Sequence, residues 1–185
     1  MRIVAGDFGG RRLKAVPGMA TRPTTDKVKE AMFNIIGPYF DGGRSLDLFA
    51  GSGGLSIEAV SRGIAHAVLI DRQYAAIKTI KDNVAVTKAP EQFEILKRDA
   101  NRAVQELANR GDQFDLVFFD PPYAQQKIID QMTQLRTLNL LTPQARIICE
   151  TDQAAQLPDD VPGFDFVERR NYGITVLTIY ALGSD

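Results

Sequence analysis

A chain of 185 residues with 44% hydrophobic content is long enough to bury one full core. It carries neither a basic leader followed by an apolar stretch nor any run of about 18 apolar residues, so it is expected to stay cytoplasmic and to cross no membrane. One cysteine, Cys149, excludes an internal disulfide, and with His66 as the one histidine there are too few soft ligands for a zinc site, so no metal is expected.

The net charge of -1 gives no reason in itself to expect a polyanionic partner. Its distribution does. Residues 1–44 carry eight basic side chains against four acidic ones, a net +4 that leaves -5 for the remainder. A basic head on an acidic body points to contact with a nucleic acid, the alternative being a solvated charged face.

In chain order, Arg2 to Gly6 and Arg12 to Val16 alternate around the turn-rich Asp7-Phe8-Gly9-Gly10 and read as a hairpin, closed off by Pro17-Gly18. Thr24 or Thr25 then caps a helix whose apolar positions Val28, Ala31, Met32, Ile35 and Ile36 follow i, i+3, i+4 spacing, stopped by Gly37-Pro38. From Ser45 onward, strands at Ser45 to Phe49, Ala67 to Ile70, Phe93 to Leu96, Leu116 to Phe119 and Arg146 to Cys149 alternate with helices near Gly53 to Arg62, Tyr74 to Val86, Ala100 to Asn109 and Lys127 to Leu135. That alternation predicts a doubly wound α/β fold with a parallel sheet. Phe164 to Arg170 and Ile174 to Ala181 are separated only by Asn171-Tyr172-Gly173, too short for a parallel crossover, so these last two strands are expected to be antiparallel.

The segment from Asp47 through Gly51-Ser52-Gly53-Gly54 to Leu55 follows the first strand and opens a helix. Glycines there permit a sharp turn and close backbone approach, and the helix start favours an anionic group. Ser56 stands where a dinucleotide fingerprint wants its third glycine, which weakens that reading. Asp71 ends the second strand, placed to accept ribose hydroxyls, and Asp99 follows the third, placed to accept from an adenine amine. Singly, Asp47 reads equally as a helix cap and Asp71 and Asp99 as turn residues. Together they mark a nucleoside site, with Phe49, Ser52, Arg72 and Ala100 beside them, and an acidic lining suits S-adenosylmethionine, whose sulfonium and amino groups are cationic.

Leu116 to Phe119 runs into Asp120-Pro121-Pro122-Tyr123, the most specific signal in the chain. The prolines fix φ and donate no N–H, leaving nearby carbonyls free to accept from a ligand. An exocyclic base amine is a poor nucleophile because its lone pair is delocalised, and it must be held by its hydrogens. Asp120 and the Pro121 carbonyl are two such acceptors, Pro122 stiffens the turn, and Tyr123 offers a ring on which an extruded base stacks, worth about 1 to 3 kcal/mol. The alternative is a plain tight turn. A cytosine-C5 mechanism needs a cysteine here. Cys149 ends the next strand instead and reads as core.

These residues resemble the RsmD-like methyltransferases, which act on N2 of a guanine in small-subunit ribosomal RNA. The resemblance spans nearly the whole chain: Arg2 to Gly6, Gly10 to Leu13, Thr21 through Arg22-Pro23-Thr24-Thr25 to Ile35, Asp47 to Gly54, and Asp120 to Tyr123. It implies a Rossmann-like class I fold, a seven-stranded sheet with its last strand antiparallel, and S-adenosylmethionine as cofactor. It also implies that Asp47, Gly51 and Gly53 meet the methionine end, Asp71 the ribose and Asp99 the adenine, with Asp120, Pro121 and Tyr123 carrying catalysis. Residues 1–44 become an RNA-facing extension on a methyltransferase domain of residues 45–185, with Arg11, Arg12, Lys14 and Arg22 as candidate phosphate contacts. Asp71 stands where glutamate is frequent in the family, and Lys29 where arginine is common; lysine lacks the planar bidentate fork, which weakens a phosphate contact there.

Ribosomal RNA or an assembling small subunit is thus the expected partner of a monomer. Two rivals remain open. A DNA adenine-N6 methyltransferase uses the same acid-Pro-Pro-aromatic strand end, but such enzymes usually carry a sizeable recognition region, and only about 44 residues precede the first core strand here. The other is a non-catalytic module that grips RNA.

Overall fold

Strands and helices alternate from Arg44 to Thr151 as the hydrophobic pattern requires, and the computed structural model describes residues 1–18, 24–122 and 126–184. The elements are α1 (Asp26–Ile36), β1 (Arg44–Asp47), α2 (Gly54–Ser61), β2 (His66–Asp71), α3 (Tyr74–Thr87), β3 (Phe93–Lys97), α4 (Ala100–Arg110), β4 (Phe114–Phe119), α5 (Ile128–Thr137), β5 (Leu141–Thr151), β6 (Phe164–Tyr172) and β7 (Thr175–Leu182). They build one seven-stranded sheet in the order β3-β2-β1-β4-β5-β7-β6. β7 is antiparallel to both its neighbours, whereas β1 to β5 pair in parallel.

Side-chain alternation divides the core between the two faces of the sheet. Leu69, Leu116, Phe118, Ile148 and Ile179 pack with Ile3, Leu13, Met32, Phe33, Leu55, Ile57 and Ile80, which places the amino-terminal segment, α1, α2 and α3 on one side. Ile70, Val117, Phe119, Ile147 and Cys149 pack with Val104, Leu107, Ile128, Met132 and Leu135, placing α4 and α5 on the other. Ile3, Leu13, Met32 and Phe33 therefore share the core of the main sheet. Cys149 is buried among these side chains and is a core residue.

The hairpin expected at the start forms only one antiparallel bridge, Arg2 to Arg12, supported by N–H bonds from Ile3 to Arg11 and from Leu13 to Met1. Gly10 N–H also crosses to the Ile3 carbonyl at 2.7 Å, but several other donors are taken elsewhere. The N–H groups of Val4 and Ala5 donate to the two carboxylate oxygens of Glu58 at 2.8 and 3.1 Å, Phe8 N–H donates to Ser61 Oγ at 2.9 Å, and Lys14 N–H to Asn83 Oδ1 at 2.8 Å. Side chains of α2 and α3 have replaced the cross-strand ladder, which satisfies the backbone equally well. Gly6 makes that docking possible: at φ +86° it lies so close to Ser61 that a Cβ would sit 1.9 Å from the Ser61 carbonyl oxygen.

Strand boundaries differ from the expected ones, most clearly in β1 and β5. β1 ends at Asp47 rather than Phe49, because the Asp47 carboxylate accepts the Phe49 N–H at 3.1 Å and turns the chain out of the ladder. β5 runs five residues further back and two further on than Arg146 to Cys149, pairing Leu141 with Phe114 across a bulge and Thr151 with Val176. The helix start is capped by Thr25, whose hydroxyl accepts from Val28 N–H, and Gly37 closes its end by donating to the Phe33 carbonyl.

Candidate active site

The carboxyl ends of β1, β2, β4 and β5 converge, and each delivers an acid: Asp47, Asp71, Asp120 and Glu150. Asp47 is buried at the end of β1, where loss of water and the neighbouring carboxylates Asp71 and Glu150 outweigh the Phe49 N–H bond and push its carboxyl up to about 7. From β1 the chain enters the glycine turn, in which Ala50 N–H donates to Ile70 O at 2.8 Å and Gly51 N–H to Asp71 Oδ2 at 3.0 Å. Gly53, at φ +83°, is the N-cap of α2 and offers no side chain to its first N–H groups, which remain available to an anionic ligand.

Asp71 holds this turn from the side, with Oδ1 accepting Gln73 N–H at 2.9 Å and Oδ2 accepting Gly51 N–H. Each carboxylate oxygen keeps a further lone pair for a hydroxyl. Asp99 caps α4 through Oδ1, which accepts Arg102 N–H at 2.8 Å. It lies beside a cavity of about 320 Å³ lined by Arg72, Lys97, Arg98, Asp99 and Arg102. Asp71 and Asp99 are thus turn and capping residues as well as acids facing the same edge of the sheet, with Arg72 and Ala100 directly following them.

Ser52 is anchored by a residue that sequence reasoning missed. Asn83 of α3 donates through Nδ2 to the carbonyls of Ser52 at 2.8 Å and Lys14 at 2.9 Å, while its Oδ1 accepts Lys14 N–H. A buried asparagine at a helix position facing the core is the one signal that could have pointed to it.

Asp120 follows β4 half-buried, next to a buried Pro121 and an exposed Pro122, and Tyr123 lies outside the described residues. Glu150, 4% exposed, occupies the matching place on β5. The register pairs Phe119 with Cys149, so the next residues along, Asp120 and Glu150, come side by side and their carboxyls hydrogen bond to each other. Burial, the facing Glu150 and Asp47 charges and this bond raise the Asp120 carboxyl well above the ordinary carboxylate range. Burial likewise raises Glu150, against the lowering effect of two hydrogen bonds, from Thr24 and Asp120. Thr24 Oγ1 donates to Glu150 Oε2 at 2.6 Å across 126 residues of sequence. The alternative offered by sequence, Thr24 as helix cap, falls to Thr25 because Thr24 is spent here. Glu150 itself followed a strand just as Asp71 and Asp120 do, which was the overlooked signal.

The basic head is less free than its composition implied. Arg11 Nη1 donates to the carbonyls of Val86 and Thr87 at 3.1 Å each, and its guanidinium lies 5.3 Å from the Phe8 ring centre. Lys29 is buried, donating to the Arg2 carbonyl at 2.7 Å and pairing with Glu58 at 3.3 Å, so it makes no phosphate contact. Arg62 Nε completes that cluster, 2.7 Å from the other Glu58 oxygen. Lys14 is exposed and faces Asp82 at 3.7 Å, and Arg12 is exposed; Arg22 lies outside the described residues. No helix among the described residues is long and apolar enough to cross a membrane.

Comparison with known proteins agrees with this geometry. The model of the family described as "Conserved hypothetical protein 95" matches residues 1–181. A Bacillus subtilis protein named "Putative rRNA methyltransferase YlbH" is 46% identical over 180 residues, covering 97% of this chain and 98% of its own. Ribosomal RNA small subunit methyltransferase D of Escherichia coli is 34% identical over 158 residues, covering 85% of this chain and 78% of its own. The solved structure titled "Putative methyltransferase yhhF from Escherichia coli" superposes with a TM-score of 0.85 at 30% identity, over 100% of this chain and 99% of that one. The seven-stranded sheet with β7 reversed, the glycine turn after β1 and the Asp-Pro-Pro end of β4 are thus those of a Rossmann-like class I methyltransferase, and the chain belongs to the conserved hypothetical protein 95 family, that of the RsmD-like methyltransferases.

Proposed function

We propose that this protein methylates the exocyclic N2 amine of a guanine in small-subunit ribosomal RNA, with S-adenosylmethionine as donor. The observation that carries the reading is the placement of Asp120-Pro121-Pro122 at the end of β4, next to the β1 end from which Asp47 and the glycine turn arise. The names of the relatives support ribosomal RNA as substrate.

The residues present fit the donor. A cationic amino group and sulfonium match the acids Asp47 and Asp71 at the ends of β1 and β2, and the buried Asp47 carboxyl, raised to about 7, gains from a cation beside it. The open N–H groups at the start of α2 suit a carboxylate, and Asp71 and Asp99 retain lone pairs for ribose and adenine. When bound, S-adenosylmethionine supplies an electrophilic methyl on sulfur.

The chain's own task is then to hold the amine. Asp120 and the Pro121 carbonyl accept its hydrogens and turn the nitrogen lone pair toward the cofactor side of the cleft. Orientation of this kind, together with acceptors already in place for the developing positive charge, is the main source of rate in such a transfer. Arg12, Lys14 and Arg22 are the phosphate contacts in this reading.

The test offers labelled cofactor with duplex DNA, naked ribosomal RNA and under-methylated small subunits in parallel. Label is expected in the RNA or the subunits, as N2-methylguanine, and D120A is expected to lose at least about 100-fold in transfer while binding cofactor normally. Label in DNA alone overturns the substrate, and unchanged transfer by D120A overturns the site.

A further inference from the structure

Three features carry chemistry that the proposed function leaves unused: an apolar cavity of about 420 Å³ between α3 and β3, the arginines of the cavity near Asp99, and the contacts that Glu150 makes with Asp120 and Thr24. The third carries an inference. A base amine that has taken a methyl group bears a positive charge and must lose one N–H proton. Asp120 is placed to take it, yet Asp120 is not a lone carboxylate. The parallel register sets it beside the buried Glu150, and two neighbouring buried carboxyls favour one proton shared between them.

We propose that Glu150 is the positioning residue through which Asp120 disposes of the amine's proton, with the Thr24 hydroxyl holding Glu150 ready to receive it. The inference rests on the methyltransferase reading. As the carbon–nitrogen bond forms, the carbon–sulfur bond breaks and the sulfur leaves as a neutral thioether. The N–H proton of the charged nitrogen then moves to one oxygen of Asp120, while the proton that Asp120 shares from its other oxygen passes to Glu150. Asp120 ends as protonated as it began, Glu150 gains one proton, and the amine is neutral; the extra proton returns to water once product has left.

Three geometric facts support this. The parallel register of β4 and β5 fixes the two carboxyls side by side on a rigid sheet. Glu150 is 4% exposed, so its proton partner within the site is Asp120 and not solvent. Thr24 donates to Oε2 at 2.6 Å and favours the Glu150 anion, the form that can accept a proton. Among the described residues, the charged groups facing the pair are Asp47 on β1 and, beyond it, Asp71 on β2, both acidic. They disfavour two simultaneous negative charges on Asp120 and Glu150 and so favour a shared proton in the pair.

The experiment compares wild type, E150Q, D120N and T24V in two measurements. The first is infrared difference spectroscopy of the free protein between acidic and alkaline pH, which reads a protonated carboxyl without cofactor or RNA. In a D47N background, which removes the band that Asp47 contributes by itself, the protein is expected to retain a protonated-carboxyl band at neutral pH that disappears on adding either E150Q or D120N. The second is the pH profile of the single-turnover rate on the RNA substrate, beside cofactor affinity. E150Q is expected to lose about 100-fold in rate at unchanged cofactor affinity. T24V, which removes only a donor to the Glu150 anion, is expected to move the acidic limb about one pH unit upward.

A wild type that methylates RNA and an E150Q that matches its rate and pH profile would falsify the relay while leaving the methyltransferase reading intact. So would the absence of the infrared band from D47N, or its persistence in both D47N/E150Q and D47N/D120N. A wild type inactive on every RNA presented defeats the functional reading instead. Should E150Q fail to fold, T24V and the D120N spectrum still decide the question, and an unshifted T24V limb counts against the relay.

Discussion

Asp71 braces the glycine turn from the neighbouring strand: its Oδ2 accepts the N–H of Gly51, twenty residues away, at 3.0 Å, while Oδ1 accepts Gln73 N–H at 2.9 Å. The same carboxylate thus shapes the turn and faces the place where ribose hydroxyls are expected. D71A removes both functions, and hydrogen bonds to a charged acceptor contribute roughly 1.5 to 3 kcal/mol each. Cofactor affinity measured by calorimetry is therefore expected to fall at least about tenfold, with the fold retained; an unchanged dissociation constant would show that Asp71 serves the turn alone.

Asp47 gives the site a pH dependence of known sign. Its carboxyl is raised to about 7, so in the folded protein it holds a proton that the unfolded chain has lost. Stability from this group is full at low pH and declines as pH rises from the ordinary carboxylate range through about 7. A cation bound beside it favours the anion, so cofactor binding near pH 6 to 7 should release protons and strengthen as pH rises. Calorimetry in buffers of different ionisation enthalpy reads this directly, and D47N should abolish the buffer dependence.

Glu58 ties the amino-terminal segment to α2 through Val4 N–H, Ala5 N–H, Lys29 and Arg62 at once. E58A leaves two buried cations and two N–H groups without their acceptor. Loss of one partner from a buried ion pair typically costs about 3 to 5 kcal/mol, so denaturant unfolding should show a loss in that range. A loss under about 1 kcal/mol would mean that water or rearrangement satisfies the cluster.

Gly6 is the backbone's point of closest approach to α2. G6A would drive a Cβ into the Ser61 carbonyl at φ +86° and should destabilise by at least about 2 kcal/mol. Thermal unfolding checks this, with G10A as the comparison, since Gly10 has positive φ but open space around it.

Arg11 and Arg12 should separate in their effects although they are neighbours. R12A is expected to lower the slope of log affinity for RNA against log salt by about one, with stability unchanged. R11A is expected instead to destabilise the protein by about 1 kcal/mol, because Arg11 is bound to the end of α3. Equal salt slopes for wild type and R12A would return Arg12 to the solvated surface.

Much of the site was legible before any coordinates. The alternation of strand and helix patterns, the glycine turn after Asp47, and Asp71, Asp99 and Asp120 at successive strand ends follow from periodicity and turn chemistry, which local sequence encodes. Thr25 as cap and Gly37 as stop were equally local. The hairpin was half legible: alternation marked its arms, but it carried no information that Glu58, Ser61 and Asn83 would outcompete the opposite arm for the N–H groups.

What sequence alone determined, then, was the order of elements, the faces they bury and the acids at their ends, because each depends on residues within a few positions of one another. What the tertiary structure decided was partnership. Glu150 meets Asp120 only because β5 lies in parallel register beside β4, and it meets Thr24 only because the amino-terminal segment folds back over 126 residues to reach it. Composition counted Lys29 and Arg11 as cationic surface, yet the fold spends one on a buried carboxylate and the other on a helix end. Periodicity specifies which way a side chain faces; only packing specifies what stands opposite.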